Sequence, residues 1–293
     1  MKKQICTIFL FFICLFYCTS APNSNESVTS VWRISKNGNN LFLGGSIHVL
    51  RSEDFPLPKA FDDAFEQSKM LVLETDIEQI ENENIMQYLI TKMLLPGDKT
   101  LRSILDSETY KMLQTKCTEY GFSVESVAKL KPSLVITMLS MIEMQKFGFM
   151  QDGVDAYYLN KAKKINKHLD YLETIEVQID MLVTMGDGYE NDYVRYSLHD
   201  MDNTENELAS IVYEWKNGKA SNIEQELLEM RNQWPIIYKT MVSDRNAAWM
   251  PRLISYLAFG SPVFVIVGLG HLHGPDGLLK QFADFGCTVE QLK

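Results

Sequence analysis

Val263-Phe264-Val265-Ile266-Val267-Gly268-Leu269-Gly270-His271 decides how this chain folds. Five apolar, mostly β-branched residues in a row fit a strand covered on both faces, as in a parallel sheet with helices on either side. The run ends at once in two glycines and a histidine. His271 therefore stands just past the carboxyl end of a central strand, the edge where open α/β sheets take their ligands. Glycines there let backbone come close and permit angles that other residues avoid.

The same arrangement closes another predicted strand near the start, Leu41-Phe42-Leu43-Gly44-Gly45-Ser46-Ile47-His48. Both ends fit G-x-x-H, as Gly45-Ser46-Ile47-His48 and Gly268-Leu269-Gly270-His271. One such histidine is ordinarily a structural residue. Two, each at a glycine-loosened strand end, point to a site. Glu74 follows a third apolar run, Leu71-Val72-Leu73, with Asp76 two residues on. An unpaired carboxylate is costly in a sheet interior, so Glu74 is expected at a salt bridge, a cap or a functional pocket.

Outward from these strands the pattern is mixed α/β with helix in excess. Val31–Ser35, the turn Asn37-Gly38-Asn39-Asn40 and the strand to His48 predict a β-hairpin, since Asn-Gly supplies positive φ. Pro58 opens a helix ahead of the Glu74 strand, a strand-helix-strand unit that hints at parallel pairing. Residues 78–120 read as helices broken at Pro96-Gly97 and closed by Gly121. Pro132 starts a Met-rich helix, apolar on nearly every face, that reads as a buried core helix or as an adaptable wall of a substrate groove. A helix follows at 152–167, a strand at 168–174 and a helix at 176–185. Ser221 with Glu224 has the spacing of a capping box, and a further helix carries Arg245.

Lys2 and Lys3 precede an apolar run from Ile5 to Tyr17 and then small, polar residues, the order of a secretory signal peptide. The expected division is a leader over residues 1–20 and one α/β domain over 21–293. The run is shorter than the roughly 20 residues of a membrane span, and no later stretch is long and apolar enough. Export to a periplasmic or extracellular space is the expectation, with a lipid-modified Cys18 or a retained N-terminal anchor as the other outcomes. Without the leader the chain has 26 basic and 38 acidic residues, a net of −12, a surface that repels nucleic acid and anionic lipid. Cys117 and Cys287 are the two cysteines outside the leader, and they either pair or stay as buried thiols.

His48, His271 and Glu74 form a donor set suited to a divalent transition metal with open positions for water. Such an ion lowers the pKa of its water and polarises a carbonyl. Arg245 is a further candidate, able to pair with Glu74, to hold a developing oxyanion, or to lie on a helix surface. Glu173 resembles Glu74 in context and could equally cap a helix. His168, His199 and His273 are weaker candidates, although His273 stands close enough to His271 to offer an alternative ligand.

With these residues assembled, the chain resembles the TraB/GumN family, which includes Tiki-type proteases and has a looser similarity to the erythromycin esterases. The likeness runs from Val31-Trp32-Arg33-Ile34-Ser35 to the C-terminus, through the stretches 41–50, 71–77, 131–164, 171–182, 213–218, 244–250 and 263–292. It implies that His48, Glu74, Arg245 and His271 converge in one pocket. It also implies a metal-dependent peptidase, using an ion such as manganese or cobalt, for a peptide or small-molecule substrate. A metal-independent, esterase-like hydrolase and a peptide-binding protein without catalysis are the alternatives.

Overall fold

The computed structural model describes residues 28–201 and 204–293; the expected leader lies outside them. In chain order the elements are β1 (Val31–Lys36), β2 (Asn39–Ser46), β3 (Val49–Leu50), α1 (Lys59–Gln67), β4 (Met70–Leu73), α2 (Glu83–Met93), α3 (Leu101–Ile104), α4 (Ser107–Glu119) and α5 (Pro132–Lys146). There follow β5 (Gln151–Asp152), α6 (Val154–Lys164), β6 (His168–Tyr171), α7 (Ile175–Thr184), α8 (Glu190–Asp200), α9 (Thr204–Lys216), α10 (Ser221–Gln233) and α11 (Pro235–Tyr238). A π-helical turn (Lys239–Ser243) leads into α12 (Asp244–Leu257), and β7 (Val263–Gly268), α13 (Leu269–Leu272), α14 (Leu278–Asp284) and β8 (Thr288–Gln291) complete the chain. The class is mixed α/β with helices in excess, as the sequence predicts.

The chain gathers into two compact units. One is helical, made of Asp76–Phe147 and Thr174–Glu205. Its core sets Ile175, Ile179 and Val183 of α7 against Ile85, Tyr88 and Leu89 of α2. Tyr88 donates to Asp180 at 2.8 Å, which ties the same two helices on their polar side. The Met-rich α5 belongs here. It buries Val135, Ile136, Leu139 and Met144 but leaves Met138 and Met141 exposed, so it is a core helix with one open face.

The other unit comprises residues 28–75, Gly148–Glu173 and Asn206–Lys293 and holds a six-stranded sheet in the order β6-β4-β7-β2-β1-β8. β6, β4, β7 and β2 run parallel, and β1 and β8 are antiparallel additions beyond β2. The hairpin turn has Asn37 and Gly38 both at positive φ, 53° and 81°. All six residues of β7 are buried, as a strand flanked on both sides and covered on both faces requires. Phe61 of α1, Tyr158 of α6, Trp215 of α9 and Phe264 of β7 pack ring against ring, with centroids 5.6–6.2 Å apart among their contacting pairs.

β7 stops at Gly268, which leaves His271 just past its end, and Leu269–Leu272 coil into one helical turn. Two local expectations change. The residues at 44, 45, 268 and 270 are not among the positive-φ glycines, so they supply space rather than unusual angles. The capping box at Ser221 does not form, because α10 starts with Ala220 as its cap residue; the Glu214 carboxylate of α9 accepts from the Asn222 N–H instead. Cys117 and Cys287 are free thiols. Among the described residues no helix is long and apolar enough to cross a membrane.

Candidate functional site

Four parallel strands finish at one edge of the sheet, and each is followed within three residues by a polar side chain. β2 leads to His48, β4 to Glu74, β6 to Glu173 and β7 to His271. The register explains why they meet. Ser46 is level with Gly268, and Leu73 with Tyr171. The β4–β6 ladder runs one step further, with the Glu173 N–H donating to the Glu74 carbonyl at 2.9 Å.

A methyl group placed on Gly268 would stand 3.4 Å from Glu74 Oε1, 3.6 Å from His271 Cδ2 and 3.7 Å from His48 Nε2. That point marks the centre of the site, and the absence of a side chain on Gly268 keeps it open. The two imidazoles and the carboxylate named from the sequence therefore surround one small space.

Arg245 arrives from α12 and lies at the heart of the cluster. Its Nη2 donates to Glu74 Oε2 and to Glu173 Oε1, each at 2.6 Å. Nε spans both Glu173 oxygens at 3.1 Å, and Nη1 reaches His271 Nε2 at 2.9 Å and the Met241 carbonyl at 3.3 Å. All five N–H groups of the guanidinium thus have acceptors within the protein. Trp249, one turn further along α12, stacks over the guanidinium and donates its indole N–H to Glu173 at 3.0 Å. Met241 belongs to the π-helical turn ahead of α12.

Asn246, fully buried, fixes His271. Its amide nitrogen donates to the carbonyls of His271 and Asp276 at 3.0 and 2.8 Å, so its amide oxygen faces His271 Nδ1 at 2.7 Å. Nδ1 must then carry the proton, and the bare Nε2 accepts from Arg245. Burial and the adjacent guanidinium push the His271 pKa down to about 3. This histidine is neutral at any ordinary pH.

Glu74 is also buried. Burial would raise its pKa, but the charge of Arg245, the two histidines and the Gly268 N–H at 2.6 Å together lower it to about 2. It is a fixed anion and a weak base.

His48 differs from both. Its side chain is 44% exposed, against 9% for Arg245 and 10% for Glu74. Its Nδ1 lies 3.1 Å from Asp155 Oδ1, and Ser46 donates to the same oxygen at 2.5 Å. Desolvation would lower its pKa; the Asp155 carboxylate, by charge and hydrogen bond, and Glu74 beyond it outweigh this and raise it to about 9. The His48–Asp155 pair is built by backbone: β3 pairs with β5, the Val154 N–H donates to the Ile47 carbonyl, and Gly153 lies against the His48 peptide. A Cβ on Gly153 would come within 2.2 Å of the Ile47 oxygen.

His48, Glu74, Arg245 and His271 are thus all brought together, and Glu173 joins them as a partner of Arg245 rather than as a cap. Asp155, Asn246 and Trp249 were not foreseen. The signal for Asp155 was there in Asp152-Gly153-Val154-Asp155, a glycine entering a helix whose first turn carries an acid. The weaker candidates lie apart: His168 opens β6, His199 falls in α8 of the helical unit, and His273 packs on Trp32 with Nδ1 3.5 Å from Glu224.

The divalent ion implied by the resemblance does not fit this arrangement. A zinc-type ion needs a bare imidazole nitrogen and carboxylate oxygen about 2 Å away. His271 Nε2 and Glu74 Oε2 are both held by Arg245, a cation that keeps its proton. Among the described residues no three His, Cys, Asp or Glu side chains are placed to hold a metal ion.

Residues 30–291 match the profile of the TraB/PrgY/gumN family, nearly the whole described chain. No curated protein and no solved structure matches.

Proposed function

The chain belongs to the TraB/PrgY/gumN family, and on that premise we propose that it is an exported hydrolase of an amide or ester bond in which His48 takes the proton from the attacking water. The observation that carries this reading is the contrast among the three titratable groups at the strand ends. Glu74 and His271 are buried, locked and poor bases, with pKa values of about 2 and about 3. His48 is open to solvent, backed by a carboxylate, and has Nε2 turned to the gap over Gly268.

In this mechanism Asp155 holds His48 with Nδ1 as the donor, leaving Nε2 to accept a proton from water and return it to the leaving group. The imidazolium formed lies beside Asp155 and Glu74, whose charges stabilise it. Arg245 does not contact substrate, since its N–H groups are already engaged; it holds Glu74, Glu173 and His271 in place. A peptide is the first substrate to test, because the resemblance to the Tiki branch points there, with carboxylic esters beside it. Export rests on the order of residues at the N-terminus, Lys2-Lys3 and then the apolar run.

The experiment is a panel of peptides and esters presented to the wild-type protein and to His48→Gln. Turnover that falls by about 10² or more in His48→Gln is expected. Full activity in that variant, on any bond the wild type cleaves, removes His48 from the role.

A further inference from the structure

We infer that the guanidinium of Arg245 occupies the cation position of this site, so that the protein works with a built-in charge where a divalent metal would otherwise be needed. The inference stands apart from the hydrolase reading, because it concerns what the pocket binds and not what it cleaves.

Three acceptors point inward at one guanidinium. Glu74 Oε2 and Glu173 Oε1 each lie 2.6 Å from Arg245 Nη2, and His271 Nε2 lies 2.9 Å from Nη1. The two carboxylates are side by side on neighbouring strands, and the ladder between their backbones keeps them there. Two buried anions at that spacing repel, and one bridging cation is the simplest relief. The third acceptor is the clearest. Asn246 forces the proton of His271 onto Nδ1, which aims a lone pair at the cation; that is how a metal-binding imidazole is oriented by its neighbour. Here the lone pair meets an N–H instead. Two carboxylate oxygens and an imidazole nitrogen are donor types that zinc or manganese take, and with the guanidinium gone they would be free to close around an ion.

The planar fork fits the set better than a point charge. It reaches all three acceptors, adds the Met241 carbonyl, and stacks on Trp249 with its central carbon 4.7 Å from the ring centre. The site therefore has its full positive charge at every metal concentration, and none of the three acceptors is left for an ion from solution.

The test uses the full chain and needs no substrate. Wild type, Arg245→Ala and His271→Ala are desalted after exposure to Zn²⁺ and to Mn²⁺; metal content is measured, and melting temperatures are compared in EDTA and in added ion. Wild type is expected to retain no stoichiometric metal and to melt at the same temperature in either condition. Arg245→Ala is expected to gain Zn²⁺, seen as a melting temperature that climbs with the logarithm of ion concentration. Wild type holding one ion per chain that His271→Ala releases overturns the inference, as does a folded Arg245→Ala that takes up no ion. Should Arg245→Ala not fold, the wild-type metal content and melting behaviour decide alone. A failure here leaves the role of His48 untouched, and an inactive His48→Gln leaves this inference standing.

Discussion

His48 and Asp155 make the most direct claim at the scale of single residues. Since His48 must be neutral to accept a proton and its pKa is raised to about 9, kcat/KM should rise with pH and level off near that value. Asp155 is the nearer cause of the rise. In Asp155→Asn the limb should move to lower pH and the plateau should fall, as orientation is lost; a limb that stays in place would show that another group controls it. His271 makes the opposite kind of claim, about stability. In the unfolded chain it takes up a proton near pH 6.5, whereas in the folded chain it resists until about pH 3. Its contribution is whole above 6.5 and is lost as the pH falls through that window, and Glu74, lowered to about 2, loses its own in the same direction below about 4.5. Between pH 7 and 5 the unfolding free energy should drop by about 2 kcal/mol more in wild type than in His271→Gln, measured by urea titration. Equal slopes would mean that His271 is not held neutral. Glu74 and the two histidines were legible in the sequence because each directly follows an apolar strand. Asp155 has only the signal of a glycine entering a helix that opens with an acid, and Asn246 has none, because their partners lie 107 and 25 residues away and only the folded register selects them.

At the scale of elements, two glycines act by the room they leave, in opposite ways. Gly153 presses on backbone that has no freedom to yield: an added Cβ meets the Ile47 oxygen at 2.2 Å and the His48 carbonyl carbon at 2.3 Å. Gly153→Ala should part β3 from β5, cost about 1–3 kcal/mol and carry His48 away from its position, reducing both stability and turnover. Gly268 has φ −51° and ψ 137°, angles open to alanine, and the added methyl would make ordinary contacts. Gly268→Ala should therefore fold with nearly unchanged stability yet lose activity, because the methyl fills the gap over which Glu74, His48 and His271 meet. Thermal unfolding beside kinetics separates the two variants, and an active Gly268→Ala would place the reacting atoms elsewhere. Most of the strands and long helices could be read from periodicity. The helical turn at Leu269–Leu272 could not, since an apolar run with glycines does not say where extension ends. Nor could the π-helical turn before α12, which has no sequence signature and shifts Arg245 relative to an unbroken helix.

At the scale of the whole chain, the sheet-bearing unit depends on its penultimate strand. β7 lies between β4 and β2, so among the described strands β6 and β4 reach β2 and the hairpin through residues near the C-terminus. A chain ending at Pro262 should lose the sheet-bearing unit's share of the cooperative unfolding transition by circular dichroism, whereas loss of β8 alone, at the far edge beyond β1, should be borne with lower stability. A transition in the chain ending at Pro262 as large as that of the full chain would mean that the sheet has another way to close. The mixed class and the excess of helix were visible in the pattern of strands and caps. The division into two units was not, because each is assembled from separate stretches and the crossings at 75–76, 147–148, 173–174 and 205–206 carry no Pro- or Gly-rich linker.

The ladder that continues past β4 and β6 sets Glu74 and Glu173 abreast, and this restricts which sequences can descend from this one. Neither acid can vanish while Arg245 remains without stranding a buried charge, and a lysine at 245 cannot span both acids and His271 at once. Inheritance should treat the three as a single character. Relatives with another residue at 245 are expected to differ at 173 as well, and an aligned set in which these columns vary independently would show that the bond between them is dispensable.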